Sequence, residues 1–134
     1  MDLFGSGRAL LLSGTAATAP SPHLWLILTD PDPNGQVLGV MVVSVKSFSD
    51  GTVLLAAGEH PFIRHESSVE FGGAKRLKVS RLAAAAGDGR CRLLSDTSPE
   101  LLRRVRAGLL VSPRTVRHIR DYARARLQGQ SDEA

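Results

Sequence analysis

The sequence predicts an α+β domain in which a small β-barrel or sandwich is followed by C-terminal helices. Short apolar runs broken by Pro, Asn-Gly and Asp-Gly turns fill residues 24–71, at the spacing of roughly 8–12 residues that small all-β units show. After residue 98 the pattern changes to helical periodicity behind Ser-Pro starts. A chain of 134 residues fits one domain with a real core better than two. The expected division is an N-terminal arm or first strand over 1–22, a barrel-plus-helix domain over 23–128, and a disordered tail over 129–134.

Taken in order, Arg8-Ala9-Leu10-Leu11-Leu12 is the one apolar run in a Gly-, Ala-, Ser- and Pro-rich beginning. Leu24-Trp25-Leu26-Ile27-Leu28 reads as a buried strand, with Trp25 in the core rather than stacking on a base. Pro31, Pro33 and Asn34-Gly35 form a turn, and Gln36–Val45 returns as the second strand of a hairpin. Asp50-Gly51 supplies the next turn and Thr52–Leu55 the third strand. A strand over Ser68–Phe71 follows, with Phe62 and Ile63 expected to point to the core. Ser80 is expected to cap a helix through Ala86, ended by Gly87-Asp88-Gly89, with Arg90–Leu94 extended. Ser98-Pro99-Glu100 starts a helix to about Gly108, and Ser112-Pro113 a last one to about Gln128.

The single Cys91 excludes an intramolecular disulfide and a Cys-rich zinc framework. No apolar run approaches the roughly 20 residues that cross a bilayer, and the start Met1-Asp2-Leu3-Phe4 lacks the basic residues of a secretory signal. The expectation is a cytoplasmic protein without a membrane partner. No short zinc spacing and no glycine-rich phosphate loop is present, so no metal and no cofactor is expected.

Charge is uneven. Residues 1–72 hold three Lys/Arg against seven Asp/Glu, whereas residues 73–128 hold fourteen against four. Such a basic half can attract an anionic polymer or an acidic protein, and it makes Lys75, Arg76, Arg103 and Arg104, with Lys46, the candidate RNA-binding residues. The same arginines can equally solvate exposed helix faces.

Chemistry concentrates in Gly58–Phe71, which gathers His60, His65, Arg64, Glu59, Glu66, Ser67 and Ser68. Histidine exchanges protons near neutral pH and arginine matches a phosphate, so the crowding points to acid–base work on a phosphodiester. In an extended chain His65 and Ser67 share one face, and Arg64 and Glu66 the other. Ser44 and Lys46, at the end of the second strand, would meet this segment at a barrel rim. A structural reading of the same residues has His60-Pro61 in a turn, His65 bonded to a loop carbonyl and Arg64 paired with Glu66 or Glu59.

The stretches His23–Asp30, Val40–Val45, and Gly58-Glu59-His60-Pro61-Phe62-Ile63 with His65-Glu66-Ser67 and Val69, together with Leu109-Leu110 and Ser112-Pro113, resemble the PemK/MazF-like toxin superfamily of small bacterial proteins. The resemblance implies an SH3-like barrel with helical additions and metal-independent RNA cleavage. It also implies a toxin–antitoxin setting with an acidic antitoxin partner. The better-known members carry an Arg-Pro pair after the first hairpin loop and a Thr or Ser after the second long strand, whereas the loop of this chain reads Asn34-Gly35-Gln36; the resemblance then implies Ser44 or Ser47 in place of their hydroxyl, and Arg64 from a different strand in place of their cation.

Two functions follow as expectations. In the first, the protein is an endoribonuclease in which His60 and His65 share proton transfer, Arg64 holds the phosphate, and Ser67 or Ser44 orients it. In the second, it is a non-catalytic module whose arginine-rich helices bind nucleic acid or protein. Homodimerisation through the barrel edges is compatible with either.

Overall fold

The computed structural model describes residues 3–13 and 22–131. Its strands are β1 (Ala9–Leu12), β2 (His23–Ile27), β3 (Gln36–Ser44), β4 (Leu54–Leu55), β5 (Ser67–Lys78) and β6 (Cys91–Leu94). Its helices are α1 (Val79–Gly87), α2 (Pro99–Val111) and α3 (Arg117–Ser131). The strands form one antiparallel sheet in the order β4-β5-β3-β2-β1-β6, curled into a half-barrel. The α+β expectation therefore holds, with α1 inserted before the last strand.

The β2–β3 hairpin closes through the predicted turn. The Asp32 carboxylate accepts the Asn34 and Gln36 N–H groups at 2.8 and 2.9 Å, and Gly35 takes φ 72°, a left-handed conformation that glycine adopts without a Cβ penalty. Leu24 then faces Val42 and Leu26 faces Val40 across the ladder. Strand β5 is three times longer than the four residues expected. Its register against β3 jumps between Gly39↔Lys75 and Met41↔Glu70, so Phe71–Ala74 bulge opposite Val40. Gly72-Gly73 hides the strand pattern in sequence and supplies the bend that curls the sheet.

Each face of the sheet has its own cover. Leu26, Leu38, Val40, Val69 and Phe71 pack under α2 and α3, which contribute Leu101, Val105, Leu109, Ile119, Ala123 and Leu127. Leu10, Trp25, Ile27 and Val37 pack under α1, with Phe4, Leu82, Ala85 and the thiol Cys91; burial pushes that thiol up from its ordinary pKa. Trp25 is thus a core residue. Strand β1 is integral to the sheet, pairing with both β2 and β6.

Two helix starts differ from the sequence reading. Ser80 does not cap α1; Lys78 occupies that position without a side-chain bond. Ser98 caps α2 as expected, its Oγ accepting the Leu101 N–H at 3.1 Å, but Ser112 ends α2 rather than starting α3. Its hydroxyl donates to Asp50 Oδ2 at 2.7 Å, and α3 begins five residues later, at Arg117. Helix α3 continues to Ser131, and positions 132–134 of the expected tail lie outside the described residues, as do 1–2 and 14–21 of the expected arm.

Candidate functional site

The histidine segment is a compact loop between β4 and β5 rather than an extended chain. Gly58, at φ 92°, donates its N–H to the Ile63 carbonyl at 2.7 Å, and the Ile63 N–H returns to the His60 carbonyl at 2.8 Å. Glu59 accepts the Ala56 N–H at 2.7 Å and pairs with Arg104 of α2. The Ala56 N–H and Arg104 together hold the Glu59 carboxyl below its ordinary range, against the opposing effect of burial.

Within this loop the two histidines have different surroundings. His60 is only 2% exposed. The Phe62 N–H, which can only donate, meets its Nδ1 at 3.0 Å, so Nε2 carries the proton and donates to the Ser95 carbonyl at 2.7 Å. Both nitrogens are occupied by backbone, and the segment before α2 is tied to the loop. His65 is exposed, and its Nε2 lies 2.7 Å from Ser44 Oγ across the β3–β5 rim. No hydrogen-bond partner among the described residues engages its Nδ1. The sequence pairing of His60 with His65 as joint proton carriers therefore does not match their placement; the His65 partner is Ser44.

A half-open cleft of about 460 Å³ sits at this rim. Ser44, Arg64, His65 and Ser67 line it as expected, together with Lys46. Arg64 is exposed and forms no ion pair with any described residue, so it pairs with neither Glu66 nor Glu59. The Ser67 hydroxyl is buried and donates to the His65 carbonyl at 3.0 Å, fixing the backbone beneath the imidazole.

The remaining basic candidates do not gather here. Lys75 lies over the Trp25 ring at 5.5 Å and Arg76 over the Tyr122 ring at 4.9 Å. Arg104 is spent on Glu59 and on the Leu54 carbonyl. Arg103 is exposed on α2, away from the cleft lining.

Three lining residues escaped the sequence reading: His23 at the start of β2, Glu70 on β5, and Phe48. Phe62 was expected in the core but is 39% exposed and also lines the cleft, while Ile63 is buried at 4%. The available signal was Phe48 itself, a large apolar residue inside a Ser-Asp-Gly turn. Among the described residues no three His, Cys, Asp or Glu side chains gather as a metal site, and no helix is long and apolar enough to cross a membrane.

Over 81% of its length the chain superposes on 94% of a chain in the crystal structure of MazE–MazF from Deinococcus radiodurans, with a TM-score of 0.55 and 16% identity. The fold is MazF-like. At that identity the likeness speaks for the fold alone. No family model matches the sequence, and no curated protein matches it.

Proposed function

We propose that the protein is a toxin-like, metal-independent endoribonuclease with its reaction centre at the β3–β5 rim. One observation carries the reading: an exposed imidazole hydrogen-bonded to a hydroxyl, Ser44 Oγ···His65 Nε2 at 2.7 Å, in a cleft with two cations, Arg64 and Lys46. The MazF-like fold supports it by analogy.

In this mechanism Ser44 holds one imidazole nitrogen and sets the tautomer, leaving the other to act as base. His65 takes the proton from a ribose 2′-hydroxyl as that oxygen attacks the adjacent phosphorus. The bond from phosphorus to the 5′-oxygen breaks, giving a 2′,3′-cyclic phosphate, and the leaving oxygen acquires a proton. His23, the other imidazole on the cleft wall, is the candidate acid. Arg64 and Lys46 compensate the charge that builds on the phosphoryl oxygens. His60 has no part in the chemistry and holds the loop. An acidic antitoxin and a homodimer belong to the same reading as partners.

The test is cleavage of a mixed-sequence single-stranded RNA in EDTA. Wild type should cleave, and His65→Ala should lose about 100-fold or more, in the range of general-base contributions. Cleavage unaffected by His65→Ala removes this mechanism. The rival reading, a binding module run by arginine-rich helices, is less favoured because Arg104 and Arg106 of α2 and Arg120 and Arg126 of α3 bond backbone carbonyls within the fold.

A further inference from the structure

Two of the four phenylalanines in the chain are exposed, and both line the same cleft. Phe48 is 72% exposed and Phe62 is 39% exposed, in a protein whose other large aromatics lie in the core or bonded to a partner. A single exposed apolar residue is ordinary, but two exposed phenylalanines on one cleft make the kind of apolar patch that marks a binding site.

The loop that bears Phe48 is well fastened. Its own carbonyl accepts Arg114 Nη2 at 2.7 Å. Two residues on, Asp50 is buried at 3% exposure and accepts the Ser112 hydroxyl at 2.7 Å and the Thr52 hydroxyl at 2.6 Å. At the other end Ser49 Oγ accepts the Lys46 N–H at 2.7 Å. The ring is therefore held out into solvent by an anchored backbone. The second ring, Phe62, follows the Pro61 turn, and its N–H is held by His60.

A cleft lined by two cations and two exposed aromatic rings has the composition of a single-strand nucleic-acid site, where phosphates meet cations and unpaired bases stack on rings. We infer that Phe48 and Phe62 form a base-stacking subsite that selects unpaired nucleotides beside the phosphate held by Arg64 and Lys46. This inference rests on the reading of the cleft as an RNA site and adds what it selects: single strands, by stacking and without base-edge discrimination by these two rings. It also assigns His60 a positioning role, since the bond to the Phe62 N–H sets that residue in the loop.

The test separates stacking from cleavage by using a short single-stranded oligonucleotide with 2′-O-methyl groups throughout, which cannot be cut. Its binding is measured by fluorescence anisotropy with wild type, Phe48→Ala, Phe48→Leu and Phe48→Trp. Alanine and leucine should weaken binding about 5- to 150-fold, the range per stacked base, and tryptophan should restore it. Replacing one nucleotide after another with an abasic one should reveal a position at which wild type falls to the Phe48→Ala level. The pre-formed duplex of the same sequence should show no Phe48 dependence.

Equal affinity of Phe48→Ala and wild type overturns the subsite while leaving cleavage by His65 intact. Leucine binding as well as phenylalanine also overturns it, since that would be apolar contact without stacking. In the His65→Ala background the Phe48 effect should persist even though cleavage is lost, so the failure of one reading does not imitate the failure of the other. Absence of all oligonucleotide binding by wild type, with Phe48→Ala instead releasing a co-purified acidic protein, overturns the subsite in favour of a protein partner.

Discussion

Removing the Asp50 carboxylate should destabilise the fold and loosen the loop that presents Phe48. The carboxylate accepts the Thr52 N–H at 2.9 Å, the Thr52 hydroxyl at 2.6 Å and the Ser112 hydroxyl at 2.7 Å. Burial alone would raise its pKa, but these bonds and the nearby Arg114 charge outweigh it and hold the group below its ordinary value of 3.8. In Asp50→Ala the hydroxyl of Ser112, a fully buried residue, keeps no acceptor, a cost of about 1–3 kcal/mol. Thr52 is half-buried and can turn to water, so it adds less. A hydrogen bond to a charged group contributes about 1.5–3 kcal/mol, but deletion also recovers the desolvation cost of the carboxylate, so the terms do not simply add. A net loss of about 2–4 kcal/mol is expected, and about half that for Asp50→Asn, which keeps one acceptor oxygen. Urea unfolding of wild type, Asp50→Ala, Ser112→Ala and the double variant measures it, with a coupling energy of about 1–2 kcal/mol. Because the folded pKa is lowered, the charge-dependent part of this stabilisation is complete above 3.8 and is lost as pH falls through the folded value, so in acid the gap between wild type and Asp50→Ala should narrow toward that between Asp50→Asn and Asp50→Ala. A loss below about 0.5 kcal/mol, or a coupling indistinguishable from zero, would refute the account of this loop.

Two further substitutions separate packing from chemistry. Gly108→Ala should destabilise by about 1–2 kcal/mol in thermal unfolding although alanine is the better helix former, because the new Cβ would collide with Val53 Cγ2 and lie 2.9 Å from Phe71 Cζ. Gly87→Ala, which meets nothing within 4 Å, is the control and should be neutral or stabilising. His60→Ala should cost about 2–4 kcal/mol by orphaning the Ser95 carbonyl and leaving a cavity; RNA cleavage per folded molecule should fall far less than in His65→Ala, and an equal loss at full stability would return His60 to the reaction centre.

The β2–β3 hairpin was legible because its signals are local: Asn34-Gly35 asks for a positive φ and Asp32 bonds the turn it begins. The start of α3 was not, because Ser112-Pro113 carries the same local signal as Ser98-Pro99, and only the distant Asp50 decides that Ser112 ends a helix. The site shows the same division. That polar chemistry gathers around residues 58–71 is visible in composition. Which histidine is free depends on Ser95 and on the Ser44↔Ser67 register, partners more than twenty residues away from His60 and His65 respectively or set by strand pairing. Phe62 was assigned to the core by hydrophobicity alone, and one step in the chain separates it from the buried Ile63.

Net charge by segment points to the helical half as an anionic-polymer surface, but several of its cations turn inward onto the other half. Arg104, Arg106, Arg114 and Arg126 donate to the carbonyls of Leu54, Leu28, Phe48 and Asp30. These carbonyls lie at strand ends and in loops of the acidic half, and the multi-donor guanidiniums reach them from the helical half. These four guanidiniums thereby join the two halves, while Arg81, Arg103, Arg117 and Arg124 stay exposed on the helices. Only three cations occur in residues 1–72. Arg8 bonds the Leu3 and Leu94 carbonyls, which leaves Lys46 and Arg64, and both line the cleft. In the proposed function the phosphate thus meets two cations from the part of the chain whose net charge is negative, and it is their place in the fold rather than segment charge that singles them out.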